Sequence, residues 1–174
     1  MVEPVIVVPY DANWKSLFEK ERVDIMARIG QYVQDIQHIG STSVEGLSAK
    51  PIIDMMIGIP SLDDAKHCIP QLEAMGYEYV LEFEKDLPMR RYLRKSDNGV
   101  RTHQIHMVER SSDFWNKHIA FRDILRTHST VRNEYATLKY RLAEAYRYDR
   151  EGYTDAKTDF IETALISYKI RTNE

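Results

Sequence analysis

The chain has one cysteine in 174 residues, so no internal disulfide can form. That fits a reducing compartment, and the expected location is cytoplasmic. Cys68 reads as a small residue on a helix rather than a nucleophile. An excess of positive charge is also missing: 24 Lys and Arg against 27 Asp and Glu leave a formal net charge of −3. General binding to nucleic acid or an anionic membrane is therefore not expected. No apolar stretch approaches the roughly 20 residues that span a bilayer. The Met1-Val2-Glu3-Pro4 start carries no basic region, so it does not read as a signal peptide. Internal repeats and low-complexity linkers are absent.

What is present suffices for one domain, taken as residues 1–174. The hydrophobic share of 43% is ordinary for a chain that buries a real core. Asp11 is placed to cap a helix whose apolar residues, Trp14 to Ile29, recur at helical spacing until Gly30. Residues near 33 to 39 read as a strand, and 40 to 49 as a loop. Ile52 to Ile59 is the clearest strand, with Ile53, Met55, Ile57 and Ile59 on one face and Ile52, Asp54, Met56 and Gly58 on the other. Ser61 and Asp64 start a helix that Pro70 is expected to kink or interrupt. A strand is expected over 77–83, then two more over 89–95 and 100–108 around Asn98-Gly99, a strong hairpin signal. Helical patterns follow from Ser111 and from about residue 130. A break is expected over 149–153, and Thr154 is placed to cap a last helix. The expected class is α+β: a mixed sheet flanked by helices, with a helical C-terminal third.

Asp54 is the single charge in an otherwise apolar strand, and burying a lone carboxylate is costly unless it is paired or binds a cation. Just upstream stands His38-Ile39-Gly40-Ser41-Thr42-Ser43. A small turn of this kind brings backbone N–H groups and hydroxyls close to a phosphate. Gly40, Ser41, Thr42 and Ser43, with His38 and Lys50, are therefore candidate phosphate ligands. Arg90-Arg91-Tyr92-Leu93-Arg94-Lys95 is the densest basic run, and Arg91 and Arg94 are candidates to steady phosphate charge. A solvated edge strand explains the same run equally well. Tyr92 reads as a base-stacking or a packing residue. His106, on an unusually polar strand face with Thr102 and Gln104, is a candidate catalytic residue beside Asp54. His103 should face the other way, which argues against a zinc site. Lys157 opposes the helix dipole of the first turn it is expected to occupy, which suggests a role toward an anion. Asp54 is also the candidate metal ligand, for Mg²⁺ or Mn²⁺. Its usual partner two residues on is Met56, which cannot bind either ion. Glu78, Glu82, Glu84 and Asp86 are conceivable replacements, although surface charge explains them more simply.

His38 to Val44, Gly46-Leu47 and Ala49 to Asp54 closely resemble the signature of the GrpB family. The match continues through Arg90 to Lys95, Ile105 to Val108, Trp115, His118, Phe121 to Asp123, Tyr135 to Lys139 and Tyr153 to Ile161, nearly the whole chain. The family is a bacterial one, also found fused behind dephospho-coenzyme A kinase, and is grouped with the nucleotidyltransferase fold. The resemblance implies that Gly40 and Ser41 hold a triphosphate and Asp54 a metal. It also implies a third carboxylate on a later strand, yet residues 100 to 108 contain no acid. The expected partner is a nucleotide or other phosphate-containing small molecule. The expected reaction is nucleotidyl or phosphoryl transfer with a reduced metal site. The alternatives are a non-catalytic nucleotide- or coenzyme-binding module, or an interaction protein on the same fold.

Overall fold

The computed structural model describes residues 4–171, so the Met1 to Glu3 start lies outside it. Five strands form one mixed sheet: β1 (Asp35–Ile39), β2 (Ile53–Ile59), β3 (Tyr77–Tyr79), β4 (Arg90–Asp97) and β5 (Val100–Glu109), in the order β1-β2-β5-β4-β3. Only β2 and β5 run parallel; the other pairs are antiparallel. The helices are α1 (Asn13–Ile29), α2 (Ala65–Glu73), α3 (Asp113–Thr127), α4 (Ser129–Ala145), α5 (Arg150–Asp155) and α6 (Thr158–Arg171). The fold is α+β, as the sequence implies. Among the described residues, no helix is long and apolar enough to cross a membrane.

The alternation along β2 decides which layer covers which face. Ile53, Met55, Ile57 and Ile59 pack with Trp14, Phe18, Ile25 and Ile29 of α1 and with Cys68 and Leu72 of α2. On the other face Met56 packs with Ile39, Val108 and Trp115 of α3. A third cluster joins Val44 and Leu47 to α3, α4 and α6 through Leu125, Tyr135 and Ala164. The helical C-terminal third thus covers the face that carries Asp54.

Several local expectations need correction. The strand after Gly76 stops at Tyr79. Val80 still donates to the Tyr92 carbonyl at 3.0 Å, and then a short 3-10 turn runs over Leu81–Glu84, leaving Leu81 and Phe83 exposed. Pro70 does not interrupt α2, which runs to Glu73. The expected break over 149–153 is instead the start of α5, capped by the Asp149 carboxylate accepting from the Gly152 N–H at 2.9 Å. Thr154 lies inside that helix, with its hydroxyl donating to the Arg150 carbonyl, and the last helix begins at Thr158. Asn98 and Gly99 both have positive φ, as a two-residue hairpin turn requires.

Gly58 marks the tightest contact between the layers. A Cβ there would lie 2.8 Å from the buried Trp115 ring and 3.0 Å from Arg110. We expect Gly58→Ala to destabilise the protein by about 1–3 kcal/mol, because an over-packed core must shift the indole off α3's seat. Urea denaturation measures this, and a change below about 0.5 kcal/mol would contradict the assigned packing.

Candidate functional site

β1 and β2 are neighbours, so the turn leaving β1 lands on Asp54 of β2. Gly40 sits at φ 68°, and a Cβ on it would stand 2.7 Å from the Asp54 carboxylate oxygen. Glycine is required there both by backbone geometry and by the closeness of the carboxylate. The next three residues make a 3-10 turn. Their hydroxyls have different duties. Thr42 donates to the Ile52 carbonyl at 3.1 Å, so its oxygen accepts from the His38 Nε2–H at 3.0 Å. Ser43 donates to the Gly40 carbonyl at 2.6 Å. Ser41 lines the cleft and is hydrogen-bonded to the Tyr135 phenol.

His38 is a buried brace in this arrangement. It stacks on Phe18 with ring centroids 4.7 Å apart. Burial, with further repulsion from Arg126 and Arg122, holds its pKa at about 4 against the pull of Asp54. It is therefore neutral at physiological pH. Helix α3 clamps the same segment: Arg122 donates to the His38 carbonyl at 3.1 Å and Arg126 to the Ser43 carbonyl at 2.8 Å.

Asp54 opens onto a cleft of about 900 Å³ between the sheet and the C-terminal helices. Three lysines converge in it from different elements: Lys50 from the loop before β2, Lys139 from α4 and Lys157 from the α5–α6 junction. The ammonium groups of Lys50 and Lys157 lie 4.9 and 4.4 Å from the centroid of the Tyr153 ring. Lys139 lies 5.0 Å from the Tyr135 centroid and donates to the Ser48 carbonyl. Cation–π contact and one carbonyl thus replace part of the lost hydration. They do not replace all of it. Burial, then mutual repulsion, lowers Lys139 to about 7. Burial lowers Lys50 and Lys157 to about 8; Arg150 and Lys157's neighbour Lys50 add repulsion, and Asp54 opposes it. A ligand with several negative charges would relieve this strain.

The β5 end of the cleft is different. Register places Gln104 beside Asp54 and His106 beside Met56. The His106 Nε2 stands 3.7 Å from Asp54, and its Nδ1 is 3.3 Å from an Arg90 guanidinium nitrogen. His118 of α3 stacks on Phe114 at 4.0 Å and donates from Nδ1 to the Phe114 carbonyl at 2.8 Å.

The remaining sequence candidates are not brought to the cleft. Arg91 projects to the opposite sheet face, 3.1 Å from Glu84, and Arg94 makes a bidentate pair with Glu78 at 2.7 and 2.8 Å. Their carboxylate partners are thus accounted for on the surface. Tyr92 is buried and packs against Phe83 and His106. His103 faces the other side of the sheet, near Glu21 and Lys95. Sequence reading named Lys50 and Lys157 but missed Lys139 and Tyr135 as cleft residues. It also missed Gln104 as a cleft residue in its own right.

A divalent cation such as Mg²⁺ needs several hard oxygen ligands. Asp54 contributes one carboxylate. Met56 is fully buried among apolar side chains, and the adjacent strand offers an amide and an imidazole in place of a third carboxylate. Glu109 sits at the far end of β5, opposite Ile59, where it accepts from the Leu62 N–H. Among the described residues, no group of three or more His, Cys, Asp or Glu side chains could hold a metal ion. These residues do not fit a carboxylate-bridged pair of Mg²⁺ ions.

The lysine pKa values give a stability signature for the ligand-free protein. Between the folded values near 7 to 8 and the unfolded value of 10.5, the unfolded chain binds more protons, so stability rises with pH. The relief is lost progressively as pH falls from about 10.5 to 7. We expect urea denaturation to show stability rising from pH 7 to pH 9. Lys139→Met should flatten that rise, and an unchanged slope would contradict the buried cluster.

Several known proteins are similar to this chain. The family model described as GrpB protein matches residues 4–166. The Glutamate-rich protein GrpB of Alkalihalophilus pseudofirmus is 40% identical over 163 residues, covering 92% of this chain and 94% of that protein. The UPF0157 protein YqkA of Bacillus subtilis is 36% identical over 160 residues, covering 92% of this chain and 46% of that protein. Among solved structures, GrpB from Enterococcus faecalis matches with a TM-score of 0.83 and 34% identity, covering 94% of this chain and 99% of that one. The Cid1 poly(U) polymerase matches with a TM-score of 0.51 and 13% identity, over 80% of this chain and 42% of that one. That last likeness is one of fold alone. On the family match and the length of these alignments, this chain belongs to the GrpB protein family.

Proposed function

We propose that the cleft binds a phosphate-bearing small molecule, of which a nucleotide is the class best suited to the fold. The observation that carries this reading is the convergence of Lys50, Lys139 and Lys157 on one pocket beside Tyr153 and Ser41. Three partly desolvated ammonium groups with one nearby carboxylate, Asp54, leave a positive site that an anion would relieve. The lysines supply charge that divalent cations supply at carboxylate-rich sites, so binding needs no metal.

A second reading is favoured by the placement of Asp54 under Gly40. In nucleotidyl transfer, an acceptor hydroxyl would form a new P–O bond at the α-phosphorus while the P–O bond to pyrophosphate breaks. Asp54 would take the hydroxyl proton and the lysines would hold the departing pyrophosphate. His106 would orient Asp54.

Calorimetric titration with ATP at pH 7 in EDTA tests the first reading. Binding is expected without metal, and Lys50→Met and Lys157→Met should each weaken it about tenfold or more. At pH 8 the heat should depend on buffer ionisation, because anion binding draws protons onto the lysines. An affinity unchanged in both variants would overturn the reading. A strict Mg²⁺ or Mn²⁺ requirement would overturn the metal-free part of it. For the second reading, Asp54→Asn should retain ATP binding and lose any release of pyrophosphate.

A further inference from the structure

The β5 end of the cleft has hydrogen-bonding directions that its neighbours fix. Arginine is a donor only, so the Arg90 contact at 3.3 Å requires a bare, accepting Nδ1 on His106. The proton of that ring is then on Nε2, which faces the Asp54 carboxylate across 3.7 Å, a gap longer than a hydrogen bond. His118 has the opposite arrangement. A carbonyl only accepts, so Nδ1 carries the proton given to Phe114, and Nε2 is a bare acceptor. Burial holds this ring neutral, with a pKa of about 4. The two rings stand with centroids 6.3 Å apart. Gln104 lies beside Asp54 in the sheet, lines the cleft, and makes no side-chain hydrogen bond among the described residues. Arg90 itself has a buried Nε without a hydrogen-bond partner and lies 5.0 Å from the Tyr92 ring centroid, a cost accepted while the guanidinium holds His106 in place.

This floor therefore presents one N–H donor from His106, acceptors from Asp54 and His118, and an amide able to do both. No formal positive charge faces the cleft from these groups. A second phosphate would meet two acceptors here and no lysine. A hydroxyl, which both donates and accepts, matches the set: it accepts from His106 and donates to Asp54 or His118.

Resting on the phosphate-binding reading above, we infer that the floor formed by Asp54, Gln104, His106 and His118 is a second subsite, and that it holds a hydroxyl of a sugar carried by the phosphate ligand. The ligand class is thereby narrowed to phosphorylated sugars and nucleotides, as against inorganic polyphosphates. Arg90 acts as a positioning residue, through the tautomer of His106.

The test compares ATP, 2′,3′-dideoxy-ATP and tripolyphosphate by calorimetry at pH 7 in EDTA. Histidine side-chain tautomers are read in parallel by long-range ¹H–¹⁵N correlation on ¹⁵N-histidine-labelled protein. The ligand-free protein is expected to show His106 protonated at Nε2 and His118 at Nδ1. ATP should bind at least about tenfold more tightly than tripolyphosphate, one buried sugar contact set being worth that factor. Dideoxy-ATP should lose most of the advantage, and Gln104→Leu should collapse the ratio of ATP to tripolyphosphate affinity. ATP alone should move the Nε2 resonances of both histidines. Arg90→Met should convert His106 to a mixture of tautomers, and Arg90→Lys should largely restore the Nε2–H form. Equal affinity for ATP and tripolyphosphate, or for ATP and its dideoxy analogue, would overturn the subsite while leaving the phosphate site standing. Failure of all three ligands to bind would overturn both.

Discussion

Three ammonium groups are held around two tyrosine rings in one cleft, and that is the arrangement the rest of the molecule must support. Each lysine reaches the cleft from a separate part of the chain, so no local segment can build it. The sheet fixes where Lys50 begins. Helix α4 brings Lys139 across 91 residues of sequence to the Ser48 carbonyl. The short α5 places Tyr153 between Lys50 and Lys157. Like charges at this spacing oppose folding, and the offset comes from the apolar clusters on both faces of the sheet. The core of this protein therefore holds a lysine cluster that is unfavourable by itself.

The sheet face decides what kind of chemistry is within reach. On one face β2 contributes only apolar side chains to the packing of α1 and α2. On the other, Asp54 stands between a basic end and a neutral, hydrogen-bonding end. Two residues on from Asp54 stands Met56, packed against Trp115, and beside Asp54 on the adjacent strand stands Gln104. A carboxylate at position 56 would replace apolar packing against the Trp115 indole. The apolar packing of α3 and the absence of a carboxylate at position 56 are thus two aspects of one residue.

Much of the framework could be read from the chain. Alternation in Ile53–Ile59 identifies a central strand, Asn98-Gly99 identifies the hairpin, and Asp11 and Gly30 bracket α1, because each rests on a local rule of backbone or periodicity. The cleft was harder to read. Lys139 lies mid-helix, where a lysine ordinarily marks the solvated face, and only the tertiary approach of the Ser48 loop makes it a buried one. The helix that carries Tyr153 was obscured because Arg150–Asp155 is only six residues long and contains glycine, too short to show a period. The opposite error concerns Arg91 and Arg94. A dense basic strand suggests an anion site, but their charges meet Glu84 and Glu78, acids that lie in a loop and on an edge strand whose pairing no local pattern reveals.

The position of Tyr153 has a consequence for observing this protein. Its ring current shields whatever sits over its faces, and those places are taken by the ends of Lys50 and Lys157. The ε-methylene protons of these two lysines will therefore resonate upfield of the crowded lysine envelope. Any displacement of either ammonium group from the ring moves those signals back. The cleft thus contains its own spectroscopic gauge of which lysine moves and when, with no probe attached to the chain.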